Sequence, residues 1–188
     1  MSEHRRPELR LVRGGRGGAA TGRVRVTLAP PGEAPSVDAV VFEEDTWLIL
    51  AAGMEVTGPA GHPVRLLTEL HDTEPLAPGT VLVREGRPLA LLAVVHDFGA
   101  EPCCQTEWIE AALARILRVC RERQLRSILL PLFGVRHGKL APEAMLSLVT
   151  RALREGAPKQ LKSVAMHVPP GGEAEVRRLL AAGSWAED

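Results

Sequence analysis

Residues 89–95 read LALLAVV, seven apolar side chains in a row that end at His96. A run this short has strand length and falls far below the roughly 20 residues of a membrane span. A strand with no polar face has to be covered on both sides, as in the sheets of layered α/β proteins. The run therefore predicts a sheet inside the molecule with this strand at its centre, and the remaining pattern has to supply the cover.

Residues 106–123, TEWIEAALARILRVCRER, supply part of it. Trp108, Ala112, Ile116 and Cys120 form one row with Ile109, Leu113 and Leu117 beside it, which is the period of an amphipathic helix. Glu107 and Glu110 stand at its start and Arg118, Arg121 and Arg123 at its end, complementing the helix dipole. RSILLPL (126–132) follows as a buried strand, then PEAMLSLVTRALREG (142–156) as a helix with Pro142 at the favoured first position. KSVAMHV (162–168) is the next strand and GEAEVRRLLAAG (172–183) the last helix. Upstream, RVRVTL (23–28) and VDAVVF (37–42) read as strands, residues 63–70 as a short helix with Val64, Leu67 and Leu70 on one face, and residues 80–96 as two strands around Gly86. Late alternation of strand and helix predicts a three-layer α/β/α sandwich with a mixed, largely parallel sheet. Ligands of such sheets bind beyond the carboxyl ends of the strands.

Composition narrows the function classes. Hydrophobic residues make up 45% and charged residues 24%, with 23 basic against 23 acidic side chains, so bulk charge points to no partner. Residues 1–22 carry five Arg and the repeat RGGRGG and are expected as a flexible Arg/Gly-rich arm, with 23–188 as a single domain. Such arms can bind nucleic acid, but two repeats are few and nucleic acid is not the expected partner. Three cysteines with no secretory leader pattern fit a reducing, cytoplasmic location, and no membrane association is expected. No paired Cys or His spacing suggests a metal, and no cofactor is expected. Cys120 is expected to be inert core. Cys103 and Cys104 precede a helix, whose N-terminus can lower a thiol pKa; partly buried thiols are the plainer reading. A nucleophilic set of Cys103, His96 and Asp97 would need a geometry that sequence proximity does not provide. Trp47 and Trp108 are expected in the core and on a helix face, with Trp185 sealing the last helix.

The loop after RSILLPL carries the most chemistry. LLPLFGVRHGKLAPEA (129–144) places Phe133, Gly134, Val135, Arg136, His137, Gly138 and Lys139 between a strand end and a helix start. Glycines there let a backbone approach a phosphate, with amide N–H groups as donors; an ordinary strand-to-helix connection would use the same residues.

The stretch LRSILLPLFGVRHGKLAPEAMLSLVTRAL resembles the second binding-loop segment of macro domains, through Pro131, Gly134, Gly138, Leu140, Pro142 and Glu143. VDAVV at 37–41 is similar to that family's VDAIV strand. PGTVLVREGRPLALLAVVHDFG resembles its hairpin ending in an apolar-His pair, with His96 on the His. SVAMHVPPGGEAEV is similar to the last strand before the final helix, with His167 near the position of an adenine-stacking aromatic. The likeness spans roughly residues 23–180. It implies binding of ADP-ribose or a related nucleotide, and some members of the family hydrolyse ADP-ribosyl linkages or O-acetyl-ADP-ribose.

The departures from the family are chemical. Its Asn-Ala-Ala-Asn run is replaced by Phe42, Glu43, Glu44 and Asp45, and the acid and amide that hold adenine by Ala29, Pro30 and Pro31. Two loop glycines become Arg136 and Lys139, and the Asn of hydrolytic members has no counterpart, because the chain contains no Asn. The resemblance therefore implies a divergent binder without efficient hydrolysis. Its expected ligand contacts are the loop residues Phe133 to Lys139 together with Gly53, Phe98 and His167. Two alternatives stand beside it. One is a protein-interaction or dimerisation module with no nucleotide ligand. The other is a hydrolase using Glu43, Glu44 or Asp45 as general base, against the plain reading of these acids as a solvated turn.

Overall fold

The computed structural model describes residues 18–21, 24–29, 36–50 and 74–182. Seven strands form one sheet: β1 (Gly18–Thr21), β2 (Val24–Leu28), β3 (Ala39–Asp45), β4 (Val81–Arg84), β5 (Leu89–His96), β6 (Ser127–Pro131) and β7 (Ser163–His167). Their order is β1-β2-β7-β6-β3-β5-β4. The five inner strands run parallel, in register through pairs such as Val26↔Val164, Ile128↔Val164, Ala39↔Ile128 and Ala39↔Leu89. β1 and β4 are antiparallel edges. Among the described residues there are three helices, α1 (Thr106–Glu122), α2 (Pro142–Gly156) and α3 (Glu173–Ala182).

The apolar run behaves as its composition requires, since seven of the eight residues of β5 are buried. Its place differs from expectation. β5 lies second from an edge, and the middle position belongs to β6. The short β4 hairpin partner closes the sheet beside β5, and α1 packs over both strands, so two-sided burial is reached without the central position. Gly18–Thr21 lies inside the segment expected as an arm, and the structure instead pairs it with β2. The expected helix at 63–70, and Trp185, fall outside the described residues.

α1 and α2 are amphipathic as their periods predict, and each begins within one residue of the expected start. Leu113, Ile116 and Leu117 of α1 and Val149 and Leu153 of α2 gather around Ile128, Leu130 and Val164. Alternate residues of a strand point to opposite faces. Leu129 and Pro131 therefore face away from these helices and line a cleft on the other side. β6 thus divides packing from site, one residue to each in turn.

That division predicts unequal costs of truncation. Leu130→Ala, at a side chain 1% exposed, is expected to lower stability by about 2–5 kcal/mol. Leu129→Ala is expected to cost clearly less. Urea midpoints measured at unchanged m-value check the pair.

Candidate functional site

The site lies at the carboxyl ends of β3, β5 and β6. β3 ends in three consecutive acids, and its pairing with β5 slips between Glu44 and Asp45. The slip sends neighbouring carboxylates to different places. Asp45 is 1% exposed and turns into the following turn. Its Oδ1 accepts from the Trp47 N–H at 2.7 Å, and its Oδ2 from Ile49 and Leu50 at 2.9 and 3.0 Å. Glu44 is equally buried. The solvated acidic turn expected here is therefore wrong: these acids belong to a strand and its cap, and backbone donors offset the burial of Asp45 and Glu43. Trp47, expected in the core, is 44% exposed and Ile49 beyond it 54%, because the Asp45 cap holds their backbone in a surface turn. Trp108 sits partly buried on α1.

Glu43 is the acid that reaches the cleft. Its Oε1 lies 2.6 Å from His96 Nε2 and accepts from the Gly134 N–H at 2.7 Å. His96 is completely buried. With Nε2 donating to the carboxylate, ring Nδ1 has no partner among the described residues. The ring is stacked against Phe98, centroids 5.7 Å apart, and meets His137 edge-on at 5.9 Å.

The loop after β6 is shaped mostly by its own backbone. Gly134 adopts φ +72°, a conformation that favours glycine. Its carbonyl accepts from the N–H groups of Gly138 and Leu140 at 2.8 and 3.0 Å. A Cβ on Gly134 would meet Cys104 Sγ at 3.0 Å, and one on Gly138 would meet Cys104 Cβ at 2.6 Å. Both glycines thus admit Cys104, a role that their expected one, close approach of a phosphate, did not include. Among the described residues, the amide N–H groups of Arg136, His137 and Lys139 have no acceptor. Lys139 holds φ +59°. α2 then starts at Pro142.

The cysteines follow the plainer reading: Cys103 and Cys104 are partly buried and Cys120 is buried. Burial first, and then the charges of Glu43 and Cys103, push the Cys104 thiol up to about 12, opposite to the lowering that a helix N-terminus can produce. Cys120 is fully buried and is raised to about 12, mainly by burial, in keeping with inert core. The Cys-His-Asp set does not assemble. Cys103 Sγ donates to the His137 carbonyl at 3.6 Å, and Asp97 Oδ1 accepts from Gly99 N–H at 2.9 Å.

Around Glu43 opens a cleft of about 260 Å³, whose walls include Phe42, Leu50, Pro131, Leu132 and Pro169, with Arg136, His137 and His167 as its other polar side chains. Of the expected contacts, Arg136, His137 and His167 line it. Phe133 is fully buried and belongs to the core, so it supports the loop from beneath. Val135 packs against that core, while Lys139 is exposed. Phe98, 57% exposed, covers His96 and is not among the cleft walls. Gly53 lies outside the described residues. The Glu43–His96–Gly134 junction was missed as a unit. Its one signal in the sequence was a histidine closing an apolar strand, which needs a polar partner once buried.

No protein-family model matches the chain, and no curated protein matches it in sequence. Solved structures do. A mutant of the Oceanobacillus iheyensis macrodomain with ADPR is 13% identical, with a TM-score of 0.66 over 91% of this chain and 98% of that one. The macrodomain of Thermus aquaticus DarG is 19% identical, with a TM-score of 0.58 over 77% and 97%. The Trypanosoma brucei macrodomain in complex with ADP-ribose is 17% identical, with a TM-score of 0.58 over 85% and 70%. At these identities the likeness is one of fold, and the chain has the fold of a divergent macrodomain.

Proposed function

We propose that the cleft binds ADP-ribose or a related nucleotide and does not hydrolyse it efficiently. The observation that carries this is the loop at residues 133–140. Among the described residues it leaves the amides of Arg136, His137 and Lys139 without acceptors, in the turn that precedes α2 and beside a cleft whose walls are largely apolar. Free backbone amides in a turn suit a diphosphate, and apolar walls suit a base and ribose carbons. Two of the structural neighbours carry ADPR or ADP-ribose, which supports the same ligand class. Weak hydrolysis is supported by the tasks the acids already have. Asp45 is held by three backbone donors and Glu43 by one backbone amide and one imidazole, and the chain has no Asn to orient a water.

Arg136 is expected to grip the ligand's anionic part from the rim. Titration calorimetry with ADP-ribose should detect binding, and Arg136→Ala should weaken it about tenfold, in line with about 1.5 kcal/mol for a hydrogen bond to a charged group. No heat at high micromolar ligand would refute the reading.

A second reading, a protein-interaction or self-association module, is favoured by exposed apolar side chains on two turns. Trp47 and Ile49 follow β3, and Phe98 follows its neighbour β5. It predicts a dimer by light scattering that Trp47→Ser and Phe98→Ser together convert to monomer; a monomeric parent at high concentration would remove it.

A further inference from the structure

The Gly134 amide of the loop is already taken, and what takes it is an anion. Glu43 Oε1 accepts from Gly134 at 2.7 Å, the geometry a phosphate oxygen would adopt on a glycine-loop amide. A ligand phosphate at the same N–H would sit within about 5 Å of that carboxylate.

Glu43 is also costly to move aside. The same oxygen is 2.6 Å from His96 Nε2. The imidazole is fully buried, and Nδ1 already has no partner among the described residues. Displacing the carboxylate would remove the partner of Nε2 and leave both ring nitrogens without one, and buried polar atoms without partners are strongly disfavoured. The second carboxylate oxygen, Oε2, has no donor among the described residues, and Glu43 lines the cleft. It can accept from a neutral hydroxyl or amine, the groups that a nucleoside carries.

We propose that Glu43 is the specificity-determining residue of the cleft: it takes the place of a ligand phosphate on the Gly134 amide, held there by His96, and its free oxygen recognises a nucleoside hydroxyl or amine. The site then favours nucleosides and nucleotides of low charge, and it disfavours the diphosphate of an ADP-ribose-class ligand. The inference rests on the reading of this cleft as a nucleotide site. Arg136, His137 and His167 on the walls offset part of the repulsion without removing the competition for one N–H.

Glu43→Gln keeps an acceptor for Gly134 and for His96 while removing the charge; Glu43→Ala frees the amide. Calorimetric titration of the parent and both variants with ADP-ribose and with adenosine, each protein first checked for an unchanged circular dichroism spectrum, tests the proposal. ADP-ribose should bind Glu43→Gln about tenfold more tightly than the parent, the scale of removing one like charge at this range. Adenosine should bind both variants more weakly than the parent, because the single oxygen of Gln is taken up by Gly134 and His96 and Ala has none, so each loses the free acceptor. If both ligands weaken together in Glu43→Gln, Glu43 is only a structural pin and the proposal fails. If ADP-ribose binds the parent and Glu43→Gln equally, the proposal fails and the nucleotide reading stands. If none of the three proteins binds either ligand, both fail.

Discussion

The Glu43 carboxylate oxygen, shared between the His96 imidazole and the Gly134 amide, joins the ends of β3 and β5 to the loop after β6. Each of its two donors is buried, and a buried donor left without an acceptor costs about 1–3 kcal/mol. The consequences run down the chain. With its N–H fixed to Glu43, Gly134 presents its carbonyl to Gly138 and Leu140, and Leu140 stands two residues before the start of α2. A side chain on one strand thereby sets the path by which a distant loop delivers the next helix.

The fold was largely legible because its signals are local. The rows of α1, the proline opening α2 and the strand lengths of β5, β6 and β7 are each written within a few residues, and the structure repeats them. What was not legible depends on partners far apart in the chain. Glu43, Glu44 and Asp45 look like a wet turn because an acid carries no mark of burial. The donors that make burial tolerable include His96 and Gly134, 53 and 91 residues away. Trp47 reads as core for the converse reason, since its exposure follows from the backbone turn that Asp45 caps. The rank of β5 in the sheet was also out of reach, because two-sided burial is shared by every inner strand.

The resemblance to macro domains carried position better than chemistry. It brought the carboxyl end of β6, His96 and His167 to one end of the sheet, and Arg136, His137 and His167 do line a cleft there. It could not say what the glycines were for. Gly134 and Gly138 leave room for Cys104, and Phe133 fills the core below them. The loop is thus packed from two sides, a setting that pre-organises its remaining free amides instead of leaving them to be ordered on binding.

Three adjacent carboxylates at one strand end would repel one another strongly unless each had its own compensation. The register slip between Glu44 and Asp45 separates their surroundings. Asp45 is met by the partial positive charge of three consecutive-turn amides, and Glu43 by one amide and one imidazole from other elements. Oriented N–H dipoles do for these acids what they do for a bound phosphate in an anion loop. An anion site and a buried acid compete for the same kind of donor, so a loop can be turned from holding a ligand's charge to holding the protein's own without a change of backbone path. In this chain the Gly134 amide is committed to Glu43, while among the described residues the amides of Arg136, His137 and Lys139 have no acceptor.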